Sequence, residues 1–572
     1  MPTIPDYPVL NFSGGVVRNK SPLEMDRIQL LDARNFDLSE KGRLKVRHGS
    51  QQVGQTLTGT IENSFFFLRN EPGSFPITQL LVNNNASSGV ISRLIGTRLT
   101  ANVGLSDTTL TVDSTSNFAA SGTVEVDGDL IAYTGGGGGG TSFTGVTGIN
   151  STHLSGRAVN QWATLSQSGS AVSGLQGIYY AVLNNICFIS GRAGNLKQYD
   201  GATVTDVSNE PVTLLLTNYR DRLFGAGDGS SGTNGDPRRL SFSNRGDGTT
   251  WTTASDFFDI EDQRGEYIMA LKVFSDRLGI FKTNSIFTYD EVELKQRIPD
   301  VGAYNQKVVQ EIGGKIYTFC PNGVFQTNLS SAKQIGEPVR QFWQNFVPAY
   351  DETANRICDN TFAWSTPTSY FLYIGDITEP TVTTDVVLEF NTLTDSWTVH
   401  SGGFTDFVHA SGMNSFRFGD GFLTNRPAVF AGDTGGKVWR LKENVFLDNQ
   451  TPEVVQGTDI FQDLISNTGS PISAYIETPL YDMGQPSLFK SPGRIRFYSE
   501  RNTFNVEWRV ENEETTTQYR PLGVITKTNQ TLPFPKEAQG FRIGLRISTV
   551  NTNSQPILNG FVFEKINVIQ RN

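Results

Sequence analysis

The feature that most constrains the fold of this chain is a series of short alternating segments, separated by Gly, Asn and Asp turns, from about residue 60 to residue 446. An alternation of apolar and polar residues with a period of two is typical of β-strands, and regular turns between them indicate antiparallel sheets. One plan recurs: an apolar strand, a tight turn, a second strand, and then a strand that carries an aromatic residue. Examples start at Gly177–Ser190, Ala270–Lys282 and Gly314–Cys320.

This repeat predicts an all-β chain built around a β-propeller of six or seven blades. The units recur at irregular spacings, mostly about 30 to 50 residues, which is near the period of known propeller blades. The composition agrees, because 58 Gly and 24 Pro accompany only 18% charged residues in a chain of 572, a balance typical of turn-rich β structure. Alternation is common to all antiparallel proteins, so another all-β arrangement stays open.

Changes in composition divide the chain into further units. Residues 97–163 are rich in Thr, Ser and Gly, so we expect a small β domain inserted at a hairpin tip of one blade. Residues 451–572 carry long alternating strands and are predicted to form a C-terminal β-sandwich. The propeller would then comprise residues 61–96 and 164–450.

The first 60 residues are predicted to form an N-terminal arm with a short helix. Ser21 can cap a helix over Pro22–Asp32, and Glu24 lies in its first turn. The preceding segment, Phe12–Val16, is expected to be extended. An arm that leaves its own domain usually binds a partner, so this segment favours assembly.

The sequence contains few of the residues and segments that metal sites, disulfides and membrane spans require. Cys187, Cys320 and Cys358 are widely separated, so we expect reduced core residues rather than disulfides. The chain has only four histidines, none near another, so we expect no cofactor, metal site or histidine-based catalysis. Neither a basic N-terminus followed by an apolar run nor an apolar stretch of about 18 residues is present, so no signal peptide or membrane span is predicted.

The charge balance allows only local binding of anions. The net charge of −10 argues against a surface that binds nucleic acid or anionic lipid throughout. Two sets of cations that alternate along possible strands are candidate interface or channel contacts, with a solvated face as the alternative for each. They are Lys41, Arg43, Lys45 and Arg47 near the N-terminus, and Arg542 and Arg546 near the C-terminus.

The catalytic motifs that occur are incomplete. Gly227, Gly229 and Gly232 match G-x-G-x-x-G, but the following Thr233–Pro237 cannot open the helix that a dinucleotide site needs. Ser243–Trp251 contains only half of a sialidase-type repeat box. We therefore predict that the protein is not an enzyme.

Several strings of residues are shared with one viral family. Near the N-terminus they are Ala33–Leu38, Gly42–Leu44 and Arg47–Gly49; in mid-chain they are Asn218–Phe224, Leu240–Ser243, Gly246–Trp251, Asp256–Ile260 and Leu271–Lys282. In these strings the chain resembles the tail hub or nozzle proteins, of the tail tubular protein B type, of short-tailed bacteriophages. The insert in addition resembles a small β module of phage tail and baseplate proteins.

The resemblance implies a structural virion protein of the viral tail, assembled in the host cytoplasm. Such a protein forms a homo-oligomeric ring, commonly a hexamer, at the distal end of the portal–adaptor channel. Genome DNA is retained behind the ring and is ejected through it without sequence-specific binding, which requires a repelling, negative lumen rather than a catalyst. The implied partners are further copies of the chain, the portal–adaptor proteins, and tail fibres or spikes.

Two other classes of function remain open. A carbohydrate-binding or depolymerising tail propeller would need a concave cluster of acids and aromatic residues. A host-encoded scaffold propeller is disfavoured by the insert and by the N-terminal strings.

Overall fold

Short β-strands make up nearly all the regular structure of the computed structural model. It describes residues 3–38, 41–69, 77–84, 90–127, 129–168, 178–191, 196–208, 211, 213–226, 236–252, 255–261, 264–349, 358, 360–379, 382–404, 406–413, 416–417, 423–424, 428–441, 447–448, 470–500, 503–511, 517–551 and 555–569. Gly227, Gly229 and Gly232 lie outside these ranges. The prediction of an all-β chain is confirmed.

Within the described residues, seven four-stranded antiparallel units follow one another, five as separate sheets and two as parts of larger sheets. Blades 1 to 3 contain Ile61–Arg69, Ile77–Asn84, Val90–Arg98 and Ala158–Thr164; Tyr179–Leu183, Ile186–Ser190, Lys197–Tyr199 and Val204–Asp206; and Leu215–Tyr219, Arg222–Ala226, Arg239–Phe242 and Phe257–Asp259. Blades 4 and 5 contain Ile268–Phe274, Arg277–Lys282, Ser285–Tyr289 and Leu294–Pro299; and Gln310–Ile312, Lys315–Cys320, Gly323–Thr327 and Ala332–Gln334. Blades 6 and 7 contain Phe362–Ser365, Ser369–Glu379, Val382–Asn391 and Ser396–Ser401; and Phe407–Met413, Ala428–Asp433, Val438–Leu441 and Ser50–Gln52.

The blades form a closed ring, which confirms the predicted β-propeller. The first strands of neighbouring blades lie against one another, and between blades 4 and 5 the Gln306 amide bonds to both backbone groups of Leu271. The ring is closed by the N-terminal strand Ser50–Gln52, which pairs with Val438–Leu441 as the outer strand of blade 7. The chain then runs directly into the first strand of blade 1.

Tight hairpins explain why the sequence forms such short strands. Asn184 and Asn185 connect two strands of blade 2 with φ values of 51° and 63°, and Ser275 and Asp276 connect two strands of blade 4 with φ values of 46° and 61°. Left-handed conformations at both central residues twist a two-residue turn in the sense that antiparallel strands require, and Asn and Asp tolerate them well. The polar dipeptides of the sequence therefore set the hairpin positions.

The inserted segment extends blade 1 and has its own core. It leaves Val90–Arg98 and returns through Ala158–Thr164, which pair with each other. Its strands are Thr109–Thr111, Gly122–Val126, Asp129–Tyr133 and Ser142–Thr144. Leu110, Phe143 and Val124 are completely buried in a cluster that also includes Ile95 and Val159 of blade 1, so the core of the insert continues onto the end of that blade.

Residues after 470 form two facing sheets together with strands from the first 50 residues. One sheet contains Asp32–Arg34, Leu447–Asp448, Ser470–Glu477, Arg542–Asn551, Phe504–Glu511 and Arg520–Ile525; the other contains Asn529–Pro533, Lys490–Glu500, Ile557–Val568, Leu44–Val46, Phe36–Leu38, Thr3–Ile4 and Tyr7–Val9. The first sheet continues into blade 6, because Asp32–Arg34 pairs with Ser396–Ser401 on one side and with Ser470–Glu477 on the other. One hydrogen-bonded sheet thus joins the propeller to the C-terminal unit.

The helix predicted over Pro22–Asp32 is wrong. Turns follow Ser21, and the strand Gln29–Leu30 pairs in parallel with Gly15–Val16. The backbone N–H of Leu31 donates to the carbonyl of Glu477. Pairing with distant strands and complete burial of Leu30 outweigh the local preference for a helix, which is weak in so short a segment.

The segment predicted as a free arm packs within its own chain. Phe12 is completely buried, and its ring lies 6.2 Å from that of Phe561. Tyr7–Val9 pairs with Ile557–Val568. The argument that this segment must find a partner in another subunit therefore loses its basis.

The described residues contain three short helices. They are the 3-10 helices Gln306–Val308 and Glu337–Val339 and the α-helix Arg340–Trp343. No helix in these ranges is long and apolar enough to cross a membrane. Cys187, Cys320 and Cys358 are buried and form no disulfide among the described residues, as predicted.

Candidate functional site

The predicted basic stripe is divided between solvent and the interior. Lys41 and Arg43 are exposed, Lys45 is half-buried and Arg47 is buried. The Arg43 guanidinium lies 3.8 Å from the carboxylate of Glu500. The four cations therefore do not form one solvent-facing set, because Arg47 points into the protein.

Arg47 joins the N-terminal strands to the propeller. Its Nε donates to the Asn35 side chain at 2.9 Å, and its Nη2 donates to the Gly402 carbonyl at 2.7 Å. The guanidinium also covers the ring of Phe404 at 4.7 Å. Asn35 extends the network, because its side-chain amide donates to the Ser473 carbonyl at 2.8 Å. The network connects blade 6 to the C-terminal unit.

Arg542 and Arg546 form ion pairs within their own sheet. Arg542 lies 2.6 Å from Glu511, and Nε of Arg546 donates to Glu477 at 2.9 Å. Arg546 also lies over the ring of Tyr519 at 4.5 Å. Both cations are thus neutralised locally on the outer face of the sheet.

A cleft of about 650 Å³ opens beside Arg47, between blades 6 and 7 and the N-terminal strands. One wall is aromatic: the rings of Trp364 and Phe371 stack at 5.1 Å with an interplanar angle of 1°. The volume is within the usual range for small-molecule sites. The lining of the cleft combines these aromatic rings with several ionisable groups.

Three ionisable side chains meet at the cleft. Nε2 of His400 lies 2.9 Å from a carboxylate oxygen of Glu389 and 3.8 Å from one of Asp37. Potential ligand atoms of all three residues lie within 4.8 Å of one another. Asp37 comes from the N-terminal strand Phe36–Leu38, whereas the other two lie on adjacent strands of blade 6.

The register of blade 6 explains how Glu389 and His400 meet. Glu389 lies directly opposite Thr398, so His400, two residues further on, is its diagonal neighbour on the same face. The Glu389 carboxylate accepts hydrogen bonds from Ser369 at 2.7 Å and from Thr398 at 3.0 Å. These bonds fix the carboxylate in a buried position.

Burial and the charge of Glu389 raise the pKa of Asp37. His400, Arg47 and Lys45 oppose this shift electrostatically, but they do not cancel it. Two carboxylates this close in a partly dehydrated site favour binding of a proton or a cation.

Sequence reasoning missed this group of residues. Asp37 lies in the string Ala33–Leu38, which was noted only for its family resemblance, and Glu389 lies in a segment that was noted only as part of the β repeat. The low number of histidines argued against a metal site and against histidine-based catalysis. A usable signal was the ionisable Glu389 within the apolar run Val386–Phe390, since an acid on a buried strand requires partners.

The buried histidines His153 and His409 have structural partners. His153 lies between Asp127 and Asp129 in the insert, at 3.2 and 3.1 Å. Burial lowers its pKa, but the hydrogen bonds with the two aspartates outweigh this and raise it to about 9. His409 lies where blade 7 meets blade 1, between the Ile61 carbonyl and the Ser64 hydroxyl.

Comparison with known proteins adds only weak structural likeness. No protein-family profile and no curated protein matches the chain. One similar solved structure is the extracellular domain of a putative hybrid two-component system from B. thetaiotaomicron, with 8% identity, a TM-score of 0.26, and coverage of 69% of this chain and 40% of that chain. Another is the Neurospora crassa Pan2 WD40 domain, with 9% identity, a TM-score of 0.27, and coverage of 46% of this chain and 88% of that chain. At these scores the likeness carries no functional argument.

Proposed function

We propose that this protein is a structural subunit of a bacteriophage tail, a hub or nozzle that forms a ring at the distal end of the portal–adaptor channel. DNA is retained behind the ring and leaves through it, and the outer surfaces hold fibres or spikes. The ring is a hexamer, and the subunit acts in the virion without catalysis.

The main support for this proposal is the set of hydrogen bonds that connects the propeller to the C-terminal unit. Asn35 and Arg47 belong to the strings that resemble the tail hub family, and they bond to each other and to residues of both units. The resemblance therefore falls on residues with a shared physical task. A ring subunit that holds back packaged DNA needs a rigid connection of this kind, because movement between its halves would open the ring.

The net charge supports the same function. At −10, a ring of several copies carries a large negative charge. A negative lumen repels the phosphates of DNA and lets the duplex slide without adhering.

The proposal is tested by imaging and weighing the assembly. The protein would be purified alone and together with portal–adaptor proteins of the same virus, and examined by mass photometry and electron cryomicroscopy. We expect a sixfold ring with a central opening, alone or on the adaptor. A chain that stays monomeric and ignores the adaptor would contradict the proposal.

A second candidate is a propeller that binds or cleaves surface carbohydrate of a host. The cleft favours it, since it holds Asp37 and Glu389 next to the aromatic wall, and paired carboxyl groups serve in most glycosidases. Host glycans would be screened for binding and for release of reducing ends. Binding that is lost in Asp37→Asn, in a chain that forms no ring, would favour this function over the first.

A further inference from the structure

The group formed by Asp37, Glu389 and His400 has the donor set of a transition-metal site. It offers one imidazole nitrogen and carboxylate oxygens from two residues. Zn²⁺ takes this mixture readily, whereas Ca²⁺ and Mg²⁺ prefer oxygen alone. The three residues are held by two strands of blade 6 and one N-terminal strand, so the donors converge without help from a mobile loop.

The spacing of the donors also suits a metal ion. Zinc bonds of about 2.0 to 2.1 Å place neighbouring donors in a tetrahedral shell roughly 3.4 Å apart. The observed separations of 2.9 Å from His400 to Glu389 and 3.8 Å from His400 to Asp37 lie on either side of that value. Small rotations of these side chains would therefore complete the shell.

The surroundings of the group resemble those of a metal ligand set. Ser369 and Thr398 donate hydrogen bonds to Glu389 and orient its carboxylate, the task that outer residues perform around bound metals. Nδ1 of His400, which carries the ring proton when Nε2 binds a metal, is buried without a hydrogen-bond partner among the described residues; in this one respect the group departs from the usual surroundings of a metal-binding histidine. The remaining side faces the cleft, where water or another ligand can enter.

We propose that Asp37, Glu389 and His400 bind one divalent transition-metal ion, with Zn²⁺ as the preferred ion, and leave one coordination position open to the cleft. This inference does not depend on the function proposed above. Bound metal would connect Asp37 to blade 6 across about 350 residues of sequence and so fasten the N-terminal strands to the propeller.

Zinc binding can be measured directly on the full-length chain. Protein without a histidine tag would be stripped with EDTA, dialysed and titrated with ZnCl₂ by calorimetry. We expect one Zn²⁺ per chain, a higher melting temperature with zinc, and no competition from Ca²⁺ or Mg²⁺. Background binding should be small, because His153 and His409 are buried with partners of their own.

Matched variants separate this site from binding elsewhere. Asp37→Asn and His400→Gln should weaken zinc binding by more than roughly tenfold and abolish the thermal shift. Asp395→Asn changes an exposed acid of the same blade, and His48→Gln changes a histidine of the same cleft outside the group; both should bind zinc as the parent does. Circular dichroism would show whether each variant is folded.

A spectroscopic test covers the case in which a variant does not fold. Co²⁺ bound to the parent chain should give visible absorption bands typical of nitrogen and oxygen ligands, and Zn²⁺ should displace it. The proposal is overturned if the parent binds neither ion, or if folded Asp37→Asn and His400→Gln bind zinc unchanged. In that case the three residues form only an internal ion network.

Discussion

His409 connects the last blade of the propeller to the first. Its imidazole is buried, with Nδ1 3.0 Å from the Ile61 carbonyl and Nε2 3.0 Å from the Ser64 hydroxyl. Burial, aided by the charge of Lys307, lowers the pKa of His409 to about 3. The neutral imidazole is therefore part of the contact that closes the ring.

This histidine should make the fold sensitive to acid. Its pKa in the folded chain lies below the unfolded value of 6.5, so the unfolded chain binds the extra proton first as the pH falls. The stabilisation of the folded state by neutral His409 is fully present above pH 6.5. As the pH falls from there towards 3, the free energy of unfolding decreases by about 1.4 kcal/mol per pH unit. Melting temperatures between pH 7.5 and pH 5 should fall less steeply in His409→Gln than in the parent.

The control for this prediction is a histidine that lies nearer the surface. His48→Gln is the matched control, because it removes a half-buried histidine that lies away from the contact between blades 7 and 1. Equal slopes in His409→Gln and the parent would show that other groups cause the loss of stability in acid.

At the scale of elements, the strand Leu44–Val46 and its flanking residues illustrate how one alternating segment serves two environments. Leu44 and Val46 are completely buried, Arg43 faces solvent, and Arg47 turns inward to Asn35 and Gly402. A guanidinium can reach these acceptors at once because its donors lie in a rigid plane. An ammonium group at the same position cannot.

Arg47→Lys should therefore destabilise the chain, whereas Arg43→Lys should not. Loss of hydrogen bonds from a buried cation costs about 2 to 3 kcal/mol, and an exposed substitution usually costs less than about 0.5 kcal/mol. Urea unfolding followed by tryptophan fluorescence would measure both. A parent-like midpoint for Arg47→Lys would show that the joint tolerates looser bonding.

The same strand shows what sequence could and could not reveal. The hairpins were predictable because dipeptides such as Asn184–Asn185 impose a local geometry. The burial of Arg47 was not, because its acceptor Gly402 lies about 350 residues away. Asp37, Glu389 and His400 were missed for the same reason, and the helix over Pro22–Asp32 was wrong because its partner strands are distant.

At the scale of the whole molecule, the insert is an appendage with separate packing. Its core reaches the propeller only at the end of blade 1, through residues such as Ile95 and Val159, and its two connections, Arg98 and Ala158, are directly paired neighbours. A short turn could therefore close blade 1 in its absence.

Replacing residues 100–156 by a short Gly-Ser turn should leave the propeller folded. We expect the main melting temperature to change by less than roughly 3 °C, since segments that leave and re-enter at a hairpin tip are well tolerated. Differential scanning calorimetry checks this, with the parent chain as reference. A collapse of the main transition would mean that the insert stabilises blade 1 through contacts such as Glu125 with Asn160.

The strand Asp32–Arg34, placed between blade 6 and Ser470–Glu477, has a consequence for how the chain is made. A ribosome produces Asp32 about 440 residues before its partner Glu477, which at 5 to 20 residues per second is a delay of roughly 20 to 90 s. Throughout that time the strand lacks its partner on the side of Ser470–Glu477, although its other partner, Ser396–Ser401, is made earlier. The nascent chain therefore exposes an unpaired strand edge until Ser470–Glu477 has been made, and this sheet of the folded protein is completed only then.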